Sequence, residues 1–110
     1  MNCIVCVTSV PDTASVIKIG SDGKNIDETG IKWIVSPFDE YAIEQGLQIR
    51  DAQGDGEVIV VCAAREQARD TMRKALAMGA DRAVLIEDER LERCDGVVRA
   101  RALAAVAEAE

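Results

Sequence analysis

Residues 68–86 constrain the fold of this chain more than any other segment. Four apolar residues recur at the spacing of one helical face: Ala68, Met72, Ala75 and Leu76. Gly79 then stands where a left-handed residue ends a helix, and the short apolar run 83–86 follows directly. A helix that ends on a glycine and leads straight into a buried strand is half of a βαβ unit. The segment therefore predicts a parallel sheet.

Two earlier runs, residues 4–7 and 57–62, are also short, apolar and rich in β-branched side chains. Such runs are typical of strands that are buried on both faces. A helix is predicted between them, because Ser36 can cap it and Pro37 suits its first turn. Its inward stripe is Ala42, Ile43, Gly46 and Leu47. This alternation predicts the α/β class, as a Rossmann-like, doubly wound, mainly parallel sheet of the adenine-nucleotide-binding type with helices on both faces.

The segment 11–35 is too long for a direct connection from the first strand to this helix. Residues 16–19 and 24–26, joined by a turn at 21–23, suggest a hairpin, and residues 31–35 suggest a further extended piece. A last helix begins after Asp95 and carries apolar residues at helical spacing: Val98, Ala102, Ala105, Val106 and Ala109. We expect residues 1–110 to form one α/β domain that is the N-terminal part of a longer subunit.

Composition argues against several classes of function. Twenty acidic and 13 basic side chains give a formal charge of −7, which makes nucleic acid and anionic membranes poor partners. The chain has no histidine, so hydrolytic triads and most zinc sites lack their usual residue. Cys3, Cys6 and Cys62 are expected to be small buried hydrophobic residues. The apolar run 3–7 is too short to span a bilayer and no cationic segment precedes it, so we expect a cytoplasmic protein.

In α/β sheets, ligands bind beyond the carboxyl ends of the strands. Here that rim comprises residues 8–12, 35–37 and 63–65, and no glycine-rich phosphate fingerprint follows a strand. Asp12 and Thr13 fit a simple turn as well as a ligand contact. Four other residues are assigned to structure rather than chemistry: Asp39 and Glu40 to the helix dipole, Trp33 and Tyr41 to packing.

Three phrases in order, Val-Pro-Asp-Thr at 10–13, Pro-Phe-Asp-Glu at 37–40 and Ala-Leu-Ala-Met-Gly-Ala-Asp-Arg at 75–82, resemble the β subunit of electron transfer flavoproteins. The resemblance implies an electron carrier without catalytic or metal-ligating residues of its own. It implies a heterodimer with an α subunit that holds most of the redox-active FAD, while the β subunit holds a structural AMP. Electrons would pass from flavin-dependent dehydrogenases, such as the acyl-CoA dehydrogenases of fatty acid oxidation, to a quinone oxidoreductase.

The resemblance also implies where the nucleotide binds. Family contacts to AMP fall on Cys6, Ser36 and Ala63 of this sequence. The family usually has a basic residue where Thr8 stands and Gly-Pro where this chain has Ala64 and Arg65, and Arg65 is hypothesised to offset the missing cation by approaching a phosphate. Ser36 replaces a usual asparagine.

Two alternatives stay open. One is a stand-alone adenine-nucleotide-binding module that resembles universal stress proteins and works as a homodimer without flavin. The other is a subunit of a bifurcating flavoprotein, in which a second FAD replaces the AMP. The phrase Pro-Phe-Asp-Glu, in place of the Pro-Tyr-Asp of many bifurcating members, favours AMP.

Overall fold

The computed structural model describes all 110 residues. Its strands are β1 (Cys3–Cys6), β2 (Ser9–Pro11), β3 (Trp33–Val35), β4 (Val58–Ala63) and β5 (Arg82–Ile86). Its helices are α1 (Pro37–Gln53), α2 (Arg69–Ala77) and α3 (Gly96–Ala109), with short 3-10 turns at Glu66–Ala68 and Glu89–Leu91.

Strands β1, β4 and β5 form the parallel sheet that the three apolar runs predict, within one residue at each end. Cys3 lies opposite Val58, and Ile59 lies opposite Arg82. The order across the sheet is β1-β4-β5, so the chain advances in one direction and no reversal of strand order occurs among these strands. The carboxyl ends of all three strands therefore meet at one edge of the sheet.

One face of the sheet packs against α1 and α2. Alternate residues of the strands point to this face, and Val5, Val58 and Val60 join Ile43 of α1 and Met72 of α2 in one buried cluster. The stripe of α1 is confirmed at Ile43, Gly46 and Leu47, whereas Ala42 is exposed. In α2, Thr71 is buried and Leu76 is 41% exposed, because the helix is turned slightly from its predicted orientation.

The opposite face of the sheet is covered by α3 only in part. Ile59 and Val61 point away from the first cluster and are fully buried under α3, which contacts β4. Helices therefore lie on both faces, and the doubly wound α/β class is confirmed. Cys6 points to this second face at the end of β1 and is exposed, so the expectation that it is buried is wrong. Cys62 is buried as expected, and burial raises the pKa of its thiol.

The ends of α1 and α3 follow from local chemistry. Ser36 is the residue before α1 and Pro37 its first residue, as predicted, but the Ser36 side chain makes no capping hydrogen bond. Its backbone carbonyl instead accepts from the N–H of Asp39 at 2.9 Å. In α3 the capping role predicted for Asp95 is confirmed, since its carboxylate accepts from the N–H of Val98 at 3.0 Å.

The excursion between β2 and β3, residues 12–32, forms an arm that contains the predicted hairpin in a short form. Its base is closed by the N–H of Asp12, which donates to the carbonyl of Lys32 at 2.7 Å. Within the arm, Ile19 and Ile26 form an antiparallel bridge. The N–H of Gly20 donates to the carbonyl of Asn25 at 2.7 Å and the N–H of Asp27 to that of Lys18 at 2.8 Å, so the predicted hairpin is confirmed next to its turn, with shorter strands than predicted. The extended piece predicted at 31–35 is confirmed as β3, which pairs with β2.

None of the helices combines the length and the apolar character needed to cross a membrane.

Candidate functional site

A cleft of about 810 Å³ opens beyond the carboxyl end of β4. It lies between three segments: the residues that follow β4, the arm, and the loop that follows β5. Thr8, Ala63 and Arg65, three of the five residues proposed from the sequence to contact a nucleotide, line this cleft. Its volume is within the ordinary range for small-molecule sites.

Arg65 lies between the arm and the loop after β5. Its Nη2 donates to a carboxylate oxygen of Glu28 in the arm, and its Nε lies 3.3 Å from Oε1 of Glu92. The Arg65 side chain is 42% exposed and each glutamate side chain 40%. The cation that could meet a phosphate is therefore already paired twice, within reach of solvent.

Thr8 is held at the end of β1 by backbone contacts. Its N–H donates to Oδ2 of Asp39 at 2.7 Å, and its carbonyl accepts from the N–H of Ser36 at 2.9 Å. The carboxylate of Asp39 thus lies at the N-terminus of α1, where the dipole favours it, and also fixes the turn after β1. Because the Thr8 N–H already donates to Asp39, it is not free to donate to a ligand.

Cys6 and Ser36 do not line the cleft. Cys6 ends β1 with its side chain on the face that α3 covers in part, whereas Ser36 is half-buried before α1. Ala63 is 9% exposed at the end of β4. The five proposed residues are therefore neighbours along the strand ends, but only three of them share one cavity.

Acidic side chains outnumber basic ones around the cleft. Its lining includes Asp22, Asp27, Glu28, Asp88 and Glu92, against Arg65, Arg93 and Arg99. Hydrogen bonds from the backbone N–H groups of Lys24 and Asn25 lower the pKa of Asp22 to about 2. The Arg90 guanidinium lowers the pKa of Asp88 to about 2 as well. Both carboxylates are therefore ionised at neutral pH, and phosphate binding here depends on the arginines.

The remaining candidates differ in their surroundings. The Asp12 carboxylate accepts from Thr13 and from the N–H of Ala14, each at 3.4 Å, which is a turn contact. Trp33 is half-buried and lines the cleft. Tyr41 is 78% exposed, so the expectation that it packs in the core is wrong. No three of the chain's Cys, Asp and Glu side chains converge as metal ligands would.

Asp81, part of the most specific phrase in the sequence, joins three elements. Its Oδ2 accepts from the N–H of Val58 in β4 at 2.7 Å and from Nη1 of Arg50 in α1 at 2.8 Å. The same guanidinium donates to the carbonyl of Gly79 at 3.1 Å. The hydrogen bond from the Val58 N–H has the largest effect in lowering the pKa of Asp81, and that from Arg50 follows. The Asp81 side chain therefore holds the start of β5 against β4, away from the cleft.

Sequence reasoning missed Glu28 and Glu92. Each is an unremarkable charged residue in a polar segment, and only the tertiary fold brings both to Arg65. The available signal was Arg65 itself, a cation two residues after a buried strand. Such a position requires either a ligand or a counter-charge, and here it has two carboxylates.

Comparison with known proteins gives a consistent result. Residues 24–110 match the electron transfer flavoprotein domain family. The chain is 39% identical over 104 residues to the electron transfer flavoprotein subunit beta of Megasphaera elsdenii, covering 94% of this chain and 38% of that protein. It is also 39% identical over 103 residues to Protein FixA of Sinorhizobium fredii, covering 94% of this chain and 35% of the relative.

A third relative is the electron transfer flavoprotein subunit beta of Bacillus subtilis, 43% identical over 89 residues, which are 81% of this chain and 34% of that protein. The chain spans little more than a third of the length of these curated relatives.

Proposed function

We propose, from the premise that this chain belongs to the electron transfer flavoprotein domain family, that it serves as an electron transfer flavoprotein β subunit. The observation that carries the proposal is the match over residues 24–110, together with 39% identity to a relative named as a β subunit across 94% of the chain. In this role the chain carries electrons as part of a complex and catalyses no reaction of its own. The resemblance of the three sequence phrases supports the same assignment.

The cofactor that we assign to this chain is a structural AMP, with the redox-active FAD held mainly by a partner α subunit. FAD, when bound, accepts electrons from one protein and passes them to another. The residues proposed to contact the AMP are Cys6, Thr8, Ser36, Ala63 and Arg65. The cleft supports three of them, because Thr8, Ala63 and Arg65 line it beyond the carboxyl end of β4.

The fit to a phosphate depends on the arginines that line the cleft, and Arg65 is the one that follows β4. Arginine suits a phosphate because its planar guanidinium can donate two parallel hydrogen bonds. Arg65 is 42% exposed and therefore accessible, but Glu28 and Glu92 already engage it. A nucleotide phosphate must displace at least one of these carboxylates to reach the guanidinium.

The partners in this proposal are an electron transfer flavoprotein α subunit, flavin-dependent dehydrogenases such as the acyl-CoA dehydrogenases, and a quinone oxidoreductase. A cytoplasmic location accompanies the proposal. Neither nucleic acid nor a membrane is a proposed partner, because the chain carries a formal charge of −7.

The test is to purify the native complex through this chain, record its visible spectrum and identify the nucleotides released on denaturation. We expect flavin absorbance, a co-purifying α-type partner and one AMP per FAD. Release of two FAD and no AMP would mean that a second flavin occupies the site proposed for AMP, as in bifurcating members. A colourless homodimer would overturn the assignment in favour of a stand-alone nucleotide-binding module.

Substitution separates the role of Arg65 from general charge effects. We expect Arg65→Ala to lower the AMP content of the purified complex. The matched control is Arg73→Ala, because Arg73 is 73% exposed, pairs with Asp70 on α2 and does not line the cleft. Equal AMP retention in both variants would remove Arg65 from the site.

A further inference from the structure

The arm is joined to the rest of the chain by one polar contact. The bond between Asp12 and Lys32 closes the base of the arm, and the other hydrogen bonds among residues 12–32 also join arm residues to one another. The exception is the ion pair between Glu28 and Arg65. Apolar packing is uneven, since Val16, Ile17 and Ile19 are all more than half exposed, whereas Ile26 is 36% exposed and Ile31 is half-buried. The contact with Arg65 is therefore the one hydrogen-bonded ion pair that ties the arm to the cleft, and the charge of Arg93 acts in addition on Asp22 of the arm.

Arg65 divides its guanidinium between two segments. Glu28 comes from the arm and Glu92 from the loop after β5, so a single cation bridges the two walls of the cleft. About two-fifths of each of the three side chains is exposed to solvent. Ion pairs of this kind are weak, and a competing anion can break them.

We propose that Glu28, Arg65 and Glu92 form a latch that couples the nucleotide phosphate to the position of the arm. In the latched state Arg65 holds Glu28 and closes the arm over the cleft. A phosphate that accepts from Arg65 takes the place of Glu28, and the arm is released. The phosphate half of this inference rests on the proposed function, whereas the tethering of the arm does not.

The latch has two consequences that follow from charge. The carboxylates compete with the phosphate, so each of them lowers the affinity of the cleft for AMP. Because the competition is reciprocal, bound AMP lowers the equilibrium constant of the contact between Glu28 and Arg65 by the same factor. Release also moves the aliphatic side chains of the arm, including Val16 and Ile17, relative to the sheet.

The experiment compares three variants in the native complex, stripped of nucleotide and then titrated with AMP. Glu28→Gln removes the arm's half of the latch, and Glu92→Gln removes the other carboxylate. Glu89→Gln is the matched control, because Glu89 is exposed, stands close to the same loop, and neither contacts Arg65 nor lines the cleft. The readouts are hydrogen–deuterium exchange of residues 13–31 and the Kd for AMP.

We expect Glu28→Gln to speed exchange in the arm without AMP, to the level that the wild-type protein reaches with AMP. We expect both latch variants to bind AMP about two- to fivefold more tightly, from the ordinary strength of half-exposed ion pairs. Glu89→Gln should match the wild type in both readouts.

Two results separate the latch from the proposed function. Normal AMP binding, with an arm that exchanges equally in the wild type and in Glu28→Gln, would overturn the latch and leave the nucleotide site standing. Faster exchange in Glu28→Gln, with no AMP binding by any protein, would overturn the nucleotide site and its competition with Glu28 and support the tether alone.

Discussion

Gly56 lies two residues before β4, close to the backbone of Met1. Its φ of 98° lies in the region that glycine alone adopts readily. A Cβ built on Gly56 would lie 2.1 Å from the carbonyl oxygen of Met1 and 2.7 Å from its carbonyl carbon. Both are backbone atoms, so Gly56→Ala must displace either the chain terminus or the turn before β4.

Gly54 provides a matched control for the size of this effect. Its φ is 78°, and a Cβ built there would meet nothing within 4 Å. Gly54→Ala therefore costs only the backbone strain, roughly 1–2 kcal/mol. Gly56→Ala adds the steric conflict with Met1, worth about 1–3 kcal/mol on the scale of overpacked sites. We expect Gly56→Ala to lower the free energy of unfolding by about 2–5 kcal/mol in total.

Two measurements test this. Urea denaturation should show a lower midpoint for Gly56→Ala than for Gly54→Ala at an unchanged m value. Locally, the N–H of Cys3, which donates to the carbonyl of Glu57 at 2.8 Å, should exchange faster in Gly56→Ala only. Equal loss of stability in both variants would refute the reasoning, because it would mean that Met1 moves aside at no cost.

Three further predictions follow from single side chains. Hydrogen bonds such as that from the Val58 N–H hold the pKa of Asp81 below its ordinary 3.8, so its contribution to stability is present above about pH 4 and is lost as pH falls through the lowered pKa. The stability difference between wild type and Asp81→Asn, followed by thermal denaturation, should therefore shrink below pH 4. Ile43→Ala should lower the free energy of unfolding measured in urea by about 2–5 kcal/mol, since Ile43 is fully buried. Ile19 is 78% exposed, so Ile19→Ala should lower it by less than about 0.5 kcal/mol. Asp95→Ala should remove the cap of α3 at a cost of about 1 kcal/mol and reduce the helical signal in circular dichroism.

The strands of the sheet were predictable because their environment is uniform. Residues of β4 are buried on both faces, so a continuous apolar run identifies the strand without any need to determine its register. The hairpin in the arm was predicted from the same β-branched residues, and it forms only as a short pairing around Ile19 and Ile26. Val16 and Ile17 have no surface to pack against, and β propensity in an exposed segment counts for little without such packing.

The site was less predictable than the fold because it depends on which loops meet. The strand ends that supply Thr8, Ala63 and Arg65 can be inferred from topology, since parallel strands end at one edge. The partners of Arg65 come from positions 28 and 92, 37 and 27 residues away in the chain, and no local pattern links them. The charge distribution of the cleft therefore depends on tertiary contacts, and it could not be predicted even where each secondary-structure element was.

The contact between Asp39 and Thr8 explains why a phosphate site in this cleft depends on arginine side chains such as Arg65 rather than on the backbone at Thr8. Thr8 follows β1 at a position where a backbone N–H could meet an anion, but its N–H donates to the Asp39 carboxylate at 2.7 Å. The start of α1 favours that carboxylate where it lies, so releasing Thr8 would break a short hydrogen bond to an acceptor that is held in place. Arg65, by contrast, gives up only half-exposed ion pairs when it turns to a ligand. Because this second exchange costs less, a phosphate that enters the cleft should bind the arginine side chains, Arg65 among them, while the turn at Thr8 stays intact.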